Sequence, residues 1–197
     1  MYSQDQEEQH ILAALRDVPG FGHQARFLDI GAWHPKTFSN TRALFELGWS
    51  GVMIEPSPGP MLNLLADYGN EPRIALVSAA VGLETGFASM HITDDAVSTL
   101  DAKSFEMWKD HAKFHGSMSV PIITLEDIAM RFGGFDFWNI DAEGISVDLF
   151  KRMMVLGHEP RCVCVEHDGR EGELISSASL KYNVVYGNGT NLVMVRK

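Results

Sequence analysis

The stretch "FLDIGAWHP", Phe27 to Pro35, decides the fold. Core-type residues run directly into Gly31, a pattern typical of a buried strand that ends in a tight turn. Asp29 places a carboxylate inside that strand. Ligands of open α/β sheets bind beyond the carboxyl ends of the strands, so we expect this turn to border a ligand site.

Segments like this one alternate with helical patterns along the chain. Further buried strands are predicted at "SGVMIEP", "RIALVSAAVG", "FDFWNIDAEG" and "PRCVCVEHD". The alternation predicts an α/β fold, a doubly wound, Rossmann-like and mostly parallel sheet with helices on both faces. The end of the chain, "YNVVYGNGTNLVMVR", predicts a hairpin around Asn188-Gly189 that makes one strand antiparallel.

A single domain over residues 1–197 fits this pattern. Residues 1–24 contain a predicted N-terminal helix, from about Gln6 to Asp17, which Pro19 and two glycines end. Residues 96–119 are less regular and mix aromatic, methionine and charged side chains. We interpret this segment either as an insertion forming a lid or acceptor wall, or as an ordinary amphipathic helix.

The charge balance restricts the class of partner. The chain has 26 acidic and 16 basic residues and a formal net charge of −10. Such a field repels nucleic acid and anionic membranes and favours a small-molecule or glycan substrate. The two cysteines, Cys162 and Cys164, read as small core residues of one strand face. Neither a signal peptide nor a membrane-spanning run is visible, so we expect a cytoplasmic protein.

The first turn also distinguishes between cofactors. A dinucleotide site needs G-x-G-x-x-G so that a pyrophosphate can approach the backbone, whereas this turn supplies Gly31 and then Trp33 and Lys36. S-adenosylmethionine has no phosphate and needs one glycine turn with a carboxylate near its ammonium group. Glu55, followed by Pro56, ends the second strand, where an acid binds the ribose of either cofactor. The missing glycines therefore favour S-adenosylmethionine.

Two further features have alternative explanations. Asp29 caps loop amides within the turn, faces the ligand, or does both. Ala79 and Ala80 leave room for a flat adenine or simply pack tightly in the core.

Several motifs recur in order along the chain. The stretch "FLDIGAWHPKTFSNTRALFELGWSGVMIEPSP" is followed by "VSAAVG", "AVSTL", "VPIITLEDI", "IDAEG" and "VCVEHD". As a set, over Phe27 to Asp168, they resemble the FkbM-type S-adenosylmethionine-dependent methyltransferases, which have the class I methyltransferase fold. The resemblance implies O-methylation of a sugar or natural-product hydroxyl.

The resemblance also assigns residues by position. It implies a cofactor turn of Asp29, Gly31 and Ala32, and a ribose contact from Glu55. Ser39, Asn40 and Thr41 would approach the methionine carboxylate. Asp141 and Glu143 would lie beside the methionine end and the acceptor.

Methylation of a hydroxyl requires alignment of the acceptor and removal of its proton. Candidate groups follow the first, fourth and fifth predicted strands, namely His34, Asp141, Glu143, Glu166, His167 and Asp168. Asp141 is expected to hold the cofactor ammonium, while Glu143 either anchors its loop or acts in catalysis. His167 is a base or a surface histidine. His34 lines the acceptor pocket or packs on Trp33.

These acids and histidines lack a diagnostic metal spacing, so no metal site is predicted.

Two other functions stay open at this point. One is a nicotinamide-dependent oxidoreductase on a similar sheet, and the other is a non-catalytic protein that binds the cofactor or a partner.

Overall fold

The computed structural model describes residues 1–17, 25–93 and 113–197. Within them the strands are β1 (Arg26–Ile30), β2 (Ser50–Ile54), β3 (Ile74–Val77), β4 (Ala80–Val81), β5 (Gly86–Thr93), β6 (Phe114–Ile123), β7 (Phe137–Ile140), β8 (Cys162–Glu166), β9 (Tyr182–Gly187) and β10 (Asn191–Arg196). The helices are α1 (Glu7–Leu15), α2 (Arg42–Glu46), α3 (Pro58–Tyr68), α4 (Leu125–Phe132), α5 (Ser146–Val155) and α6 (Glu171–Ala178).

Seven of the strands form the central sheet, in the order β3-β2-β1-β7-β8-β10-β9. The first five of these are parallel, and β10 is antiparallel to both of its neighbours. The predicted α/β fold with an antiparallel C-terminal hairpin strand is therefore confirmed. The strand order reverses between β1 and β7, which places a crevice at the carboxyl ends of these two strands.

Alternate residues of the strands face two separate cores. Leu28 and Ile30 pack in one core with residues of α4, α5 and α6. Phe27 packs in the other with residues of α1, α2 and α3, as do Cys162 and Cys164. The period of two in a strand therefore buries both faces of the sheet, as the continuous apolar runs predicted.

A second sheet, in the order β4-β6-β5, covers the carboxyl end of the first. The segment "RIALVSAAVG" was expected to be one strand, but β3 ends at Val77 and Ala80–Val81 pairs instead with β6. The chain leaves the first sheet at Ser78 and Ala79 and joins the second. This break brings two small side chains, Ala79 and Ala80, to the edge of the sheet where a ligand site is expected.

Helix α4 begins after a capping residue, Thr124. Thr124 accepts a hydrogen bond from the Asp127 backbone N–H, and the Asp127 carboxylate accepts one from the Thr124 N–H, forming a capping box. Of the candidate lid at residues 96–119, only 113–119 are described. Most of these residues belong to β6. The rest of the candidate lid, and the end of the predicted N-terminal segment at 18–24, lie outside the described residues.

Gly31 stands where the β1 turn approaches β7 most closely. Its φ is +77°, and a Cβ built on it would lie 1.9 Å from the Asp141 carbonyl oxygen. The N–H of the same residue, Asp141, donates to the Ile30 carbonyl at 3.0 Å. The glycine is therefore required by the backbone of the neighbouring strand, independently of any ligand.

We expect Gly31→Ala to lower the free energy of unfolding by about 2–4 kcal/mol, because an added Cβ strains φ and collides with backbone that is itself hydrogen-bonded. Urea denaturation measures the loss. Gly172→Ala is the matched control: it lies within α6 with nothing within 4 Å of its built Cβ, and alanine should add roughly 0.5–1 kcal/mol there. Equal stability of the two variants would contradict the close contact.

Candidate functional site

A cavity of about 430 Å³ lies in the crevice between the two sheets. Its size is within the range of about 300–1,000 Å³ typical of small-molecule sites. Six carboxylic side chains line it, those of Glu7, Asp29, Glu55, Asp141, Glu143 and Glu166. Among the described lining residues there is no lysine, arginine or histidine. The cavity is therefore strongly selective for positive charge.

The Glu55 carboxylate joins the two turns at the cavity edge. Its Oε2 accepts from the Trp33 backbone N–H at 3.1 Å, and its Oε1 accepts from the Ser57 N–H at 2.6 Å. Burial raises the pKa of Glu55, and these two hydrogen bonds oppose the rise. A carboxylate has about four acceptor positions, so each oxygen keeps capacity for a ligand hydroxyl.

Asp29 belongs to a row of side chains that crosses the sheet. Its neighbours on β2 and β7 are Met53 and Asn139, and Cys164 follows on β8. The Asp29 carboxylate accepts from Thr41 Oγ1 at 2.5 Å and from Asn139 Nδ2 at 2.9 Å. Both of these donors are side chains. Asp29 therefore does not cap the loop amides of its own turn, which was one of the roles that the sequence left open for it.

The segment before α2 lies over this row. Asn40 Nδ2 donates to Asn139 Oδ1 at 3.0 Å, while Asn40 Oδ1 is buried without a partner in the described part of the chain. Ser39 Oγ accepts from the Arg42 N–H, and Ser39 N–H donates to the Tyr2 carbonyl. Ser39 and Asn40 both line the cavity, and the unpaired Asn40 oxygen offers a bond to a ligand donor.

Thr41 has a different place from its two neighbours. It is fully buried, its hydroxyl is bound to Asp29, and it is not among the residues that line the cavity. It positions the Asp29 carboxylate from behind.

The small residues of the β3–β4 break line the opposite end of the cavity. Pro56, Ala79 and Ala80 lie there with Val81 and with Met90 of β5. Ala79 and Ala80 are almost completely buried. This part of the lining is apolar and built largely of small side chains, and so it leaves room for an aromatic ring.

Asp141 and Glu166 stand side by side at the ends of β7 and β8, beyond the paired residues Ile140 and Val165. Burial is the largest cause that raises the pKa of Asp141 to about 6. Burial, followed by the Asp141 charge, raises the pKa of Glu166 to about 10. Asp168 lies close to both and its pKa is also raised, chiefly by burial.

Neither candidate histidine lines the cavity. Nδ1 of His34 accepts from the backbone N–H groups of Lys36 and Thr37, at 3.1 and 2.9 Å. His167 is buried, with Nδ1 accepting from the Gly169 N–H and Nε2 within 3.3 Å of the Asn188 carbonyl. Both rings hold turns together.

Several lining residues were not predicted as site residues. Gln4 and Glu7 come from the start of the chain, and Thr190 and Asn191 come from the C-terminal hairpin. Glu7 is fully buried and accepts from Asn188 Nδ2 and Asn191 Nδ2, at 2.7 and 3.1 Å. No pattern in the sequence signals this pairing. Asn139, by contrast, is an amide inside the apolar strand "FWNI", which is a signal of the same kind as Asp29.

Over residues 1–17, 25–93 and 113–197, no three His, Cys, Asp or Glu side chains are arranged to hold a metal ion. No helix in those ranges combines the length and the hydropathy needed to cross a membrane.

A family model described as the methyltransferase FkbM domain matches residues 29–177 of the chain. No curated protein sequence matches.

Three solved structures are similar in fold. A methyltransferase FkbM from Methylobacillus flagellatus KT has a TM-score of 0.56 at 14% identity, covering 98% of this chain and 56% of that one. Putative methyltransferase yhhF from Escherichia coli also has a TM-score of 0.56, at 12% identity over 99% and 87% of the two chains. The C-terminal domain of precorrin-6Y C5,15-methyltransferase from Rhodobacter capsulatus gives 0.50 at 13% identity, over 96% and 88%. The chain thus spans little more than half the length of the first structure.

Thr41→Val should lower the free energy of unfolding by about 1–3 kcal/mol, because it removes a donor from the buried Asp29 carboxylate without changing side-chain size. Thr37→Val, at an exposed position of the same loop, is the control and should be neutral. Urea denaturation at pH 7 compares the two. A neutral effect at Thr41 would show that this hydrogen bond does not stabilise the fold.

Glu166→Gln should make stability less dependent on pH. A raised carboxyl pKa means that the folded protein binds the proton more tightly than the unfolded chain does. Wild-type stability therefore falls as the pH rises from 4.5 toward 10. We expect the variant to be more stable than wild type by about 1–3 kcal/mol at pH 8, and by less at pH 5. Denaturation at both pH values measures this, with the exposed Glu171→Gln as control. Parallel pH profiles for wild type and Glu166→Gln would refute it.

Proposed function

The chain belongs to the FkbM methyltransferase family, and we propose that it transfers a methyl group from S-adenosylmethionine to a hydroxyl of a sugar, glycan or natural-product small molecule. One observation carries the choice of cofactor. The cavity at the strand-order reversal is lined by six carboxylic side chains, and its described lining contains no basic one. S-adenosylmethionine presents two positive groups, a sulfonium and an ammonium, and its charge complements this lining.

The same observation disfavours a nicotinamide-dependent oxidoreductase. A dinucleotide carries a pyrophosphate, which would lie against this turn and its carboxylates. The backbone N–H groups of Gly31 and Ala32 both donate to the Ile54 carbonyl, at 3.0 and 3.1 Å. These amides are therefore already used and do not offer a phosphate cradle.

The residues present fit S-adenosylmethionine at each end. Glu55 would accept hydrogen bonds from the ribose hydroxyls with the acceptor capacity that its two backbone bonds leave. Pro56, Ala79 and Ala80 would enclose the adenine. At the amino-acid end, Ser39 would make contacts and the unpaired Asn40 Oδ1 would accept a hydrogen bond from the ammonium, which leaves Asp141 to face the sulfonium. We assign Asp29, with Thr41 behind it, to the cofactor turn.

When bound, the cofactor supplies a methyl group on a positively charged sulfur, and its transfer to a hydroxyl forms a C–O bond, breaks the S–C bond and releases one proton. The protein must then align the acceptor and receive that proton. Asp141 and Glu143 line the cavity past β7, as Glu166 does at the end of β8, and this position supports them as catalytic candidates. We assign His34 and His167 to holding the turns, because their ring nitrogens contact backbone groups.

The acceptor side has a polar wall suited to a neutral polyol. Gln4 and Thr190 line the cavity there, and within the described residues their side-chain polar atoms make no hydrogen bond. A hydroxyl-rich acceptor would supply partners for both. The acidic lining disfavours a phosphorylated acceptor or a nucleic acid.

Glu55→Gln should weaken S-adenosylmethionine binding by about 10- to 100-fold, because it removes charge-assisted hydrogen bonds to the ribose. Isothermal titration calorimetry measures the affinity. Glu84→Gln, an exposed position outside the cavity, is the matched control and should bind as wild type does. An unchanged affinity in Glu55→Gln removes the ribose assignment. Failure of the wild-type protein to bind at millimolar concentration would overturn the proposed cofactor.

A further inference from the structure

The pair formed by Asp141 and Glu166 has a geometry that its strands impose. β7 and β8 are adjacent and parallel, with Ile140 opposite Val165, so the next residue of each strand projects from the same edge. Both side chains line the cavity, and they are hydrogen-bonded to one another. Two carboxyl groups can make such a bond only when one of them holds a proton.

Glu166 is the member that holds it. Its Oε2 is buried and receives no hydrogen bond from any described N–H or O–H donor. A carboxylate oxygen in that position would be left unsatisfied, whereas a protonated carboxyl can donate to Asp141. The bond disfavours ionisation of Glu166 and favours ionisation of Asp141.

The surroundings reinforce this arrangement. Among the described residues, the titratable groups that face the pair are Asp29 from β1, Glu55 from β2, Glu143 from the loop after β7 and Asp168 from the loop after β8. Asp168 is also hydrogen-bonded to Glu166, so Glu166 holds its proton between two carboxylates. All four are carboxylic acids. They oppose a second negative charge on the pair, so it carries one proton and one negative charge.

We propose that Asp141 receives the proton lost by the methyl acceptor and that Glu166, hydrogen-bonded to it, is the positioning residue that keeps the pair at a single negative charge until transfer. This inference rests on the proposed function. Before transfer, one positive charge on sulfur faces one negative charge on the pair. As the C–O bond forms, the S–C electron pair stays on sulfur and the hydroxyl proton passes to Asp141.

The charge balance explains why a pair is useful here. After transfer the sulfur is neutral and both carboxyl groups are protonated, so the buried site gains no net charge. A single ionised acid among four other carboxylates would already be strongly disfavoured, and two ionised acids would be more so. The shared proton lets a buried base exist in a cavity built to hold a cation.

The test measures binding of the cofactor, so it does not require the methyl acceptor. At pH 6, near the midpoint of Asp141, the pair of the free protein is about half in its doubly protonated form. S-adenosylmethionine, which carries the sulfonium, should drive off that proton, whereas S-adenosylhomocysteine, with a neutral sulfur, should not. Titration calorimetry in two buffers of different ionisation enthalpy, such as MES and imidazole, counts the protons released.

We expect wild type to release about 0.3–0.5 more protons with S-adenosylmethionine than with S-adenosylhomocysteine at pH 6, and a smaller excess at pH 7.5. The ammonium group is common to both ligands and is protonated at pH 6. In Glu166→Gln, the amide keeps a donor to Asp141 without a second acid. Because this donor is kept, the Asp141 pKa should change little and the excess should remain. Glu166→Leu removes the donor, so the Asp141 pKa should rise and the excess at pH 7.5 should be larger than in wild type. Asp141→Asn removes the titrating group and should abolish the excess while both ligands still bind. Glu84→Gln, exposed and outside the cavity, is the control, and it should bind both ligands and keep the excess as wild type does.

The outcomes separate the two proposals. If wild type binds both ligands with equal proton release at pH 6, the inference is overturned and the proposed cofactor stands. If the excess persists in a folded Asp141→Asn variant, another carboxylate supplies the proton, and if a folded Glu166→Leu variant matches wild type at pH 7.5, Glu166 is not the positioning residue. Either result overturns the inference. If neither ligand binds wild type, the proposed function fails and the inference fails with it.

Discussion

The approach of two backbone segments at the centre of the sheet is the constraint on which the site depends. The turn after β1 passes so close to the carbonyl of Asp141 that only glycine fits at Gly31. The Asp141 N–H is bound to β1 at the same point, so the ends of β1 and β7 hold each other in register. Glu55 then fixes the turn to β2 through Trp33. The ends of β1, β2 and β7 are thereby held together, and this fixes the positions of the side chains at these ends.

The electrostatics of the cavity follow from the side chains at these strand ends. Strands that end side by side each contribute an acid, and in the described residues no basic side chain reaches the cavity to neutralise them. Such a concentration of buried carboxylates is costly unless protons or a cation reduce the repulsion. The fold therefore holds carboxylates whose mutual repulsion a positively charged ligand would relieve.

The sequence predicted the strands and the sheet well because each of these elements depends on a local pattern of residues. Apolar runs, glycine turns and the Asn188-Gly189 hairpin each report on their own few residues. The sequence also indicated a tight turn at Gly31, but it could not show that the turn contacts the backbone of β7 at Asp141. It could not predict that His34 and His167 hold turns, or that Glu7 reaches the cavity. Those facts depend on which distant segments meet, and a local pattern carries no information about that.

The wall shared by Glu7 and Asn191 has a consequence for the order of folding. The two residues are 184 positions apart, yet the Glu7 carboxylate accepts a hydrogen bond from Asn191 Nδ2 at the edge of the cavity. A chain emerging from the ribosome can form β1, β2 and β7 long before it makes β10, because these earlier strands pair with one another. The cavity would then lack one side, and α1 would lack part of the surface on which it packs. Completion of the site is therefore tied to β10, which is synthesised after the other described strands.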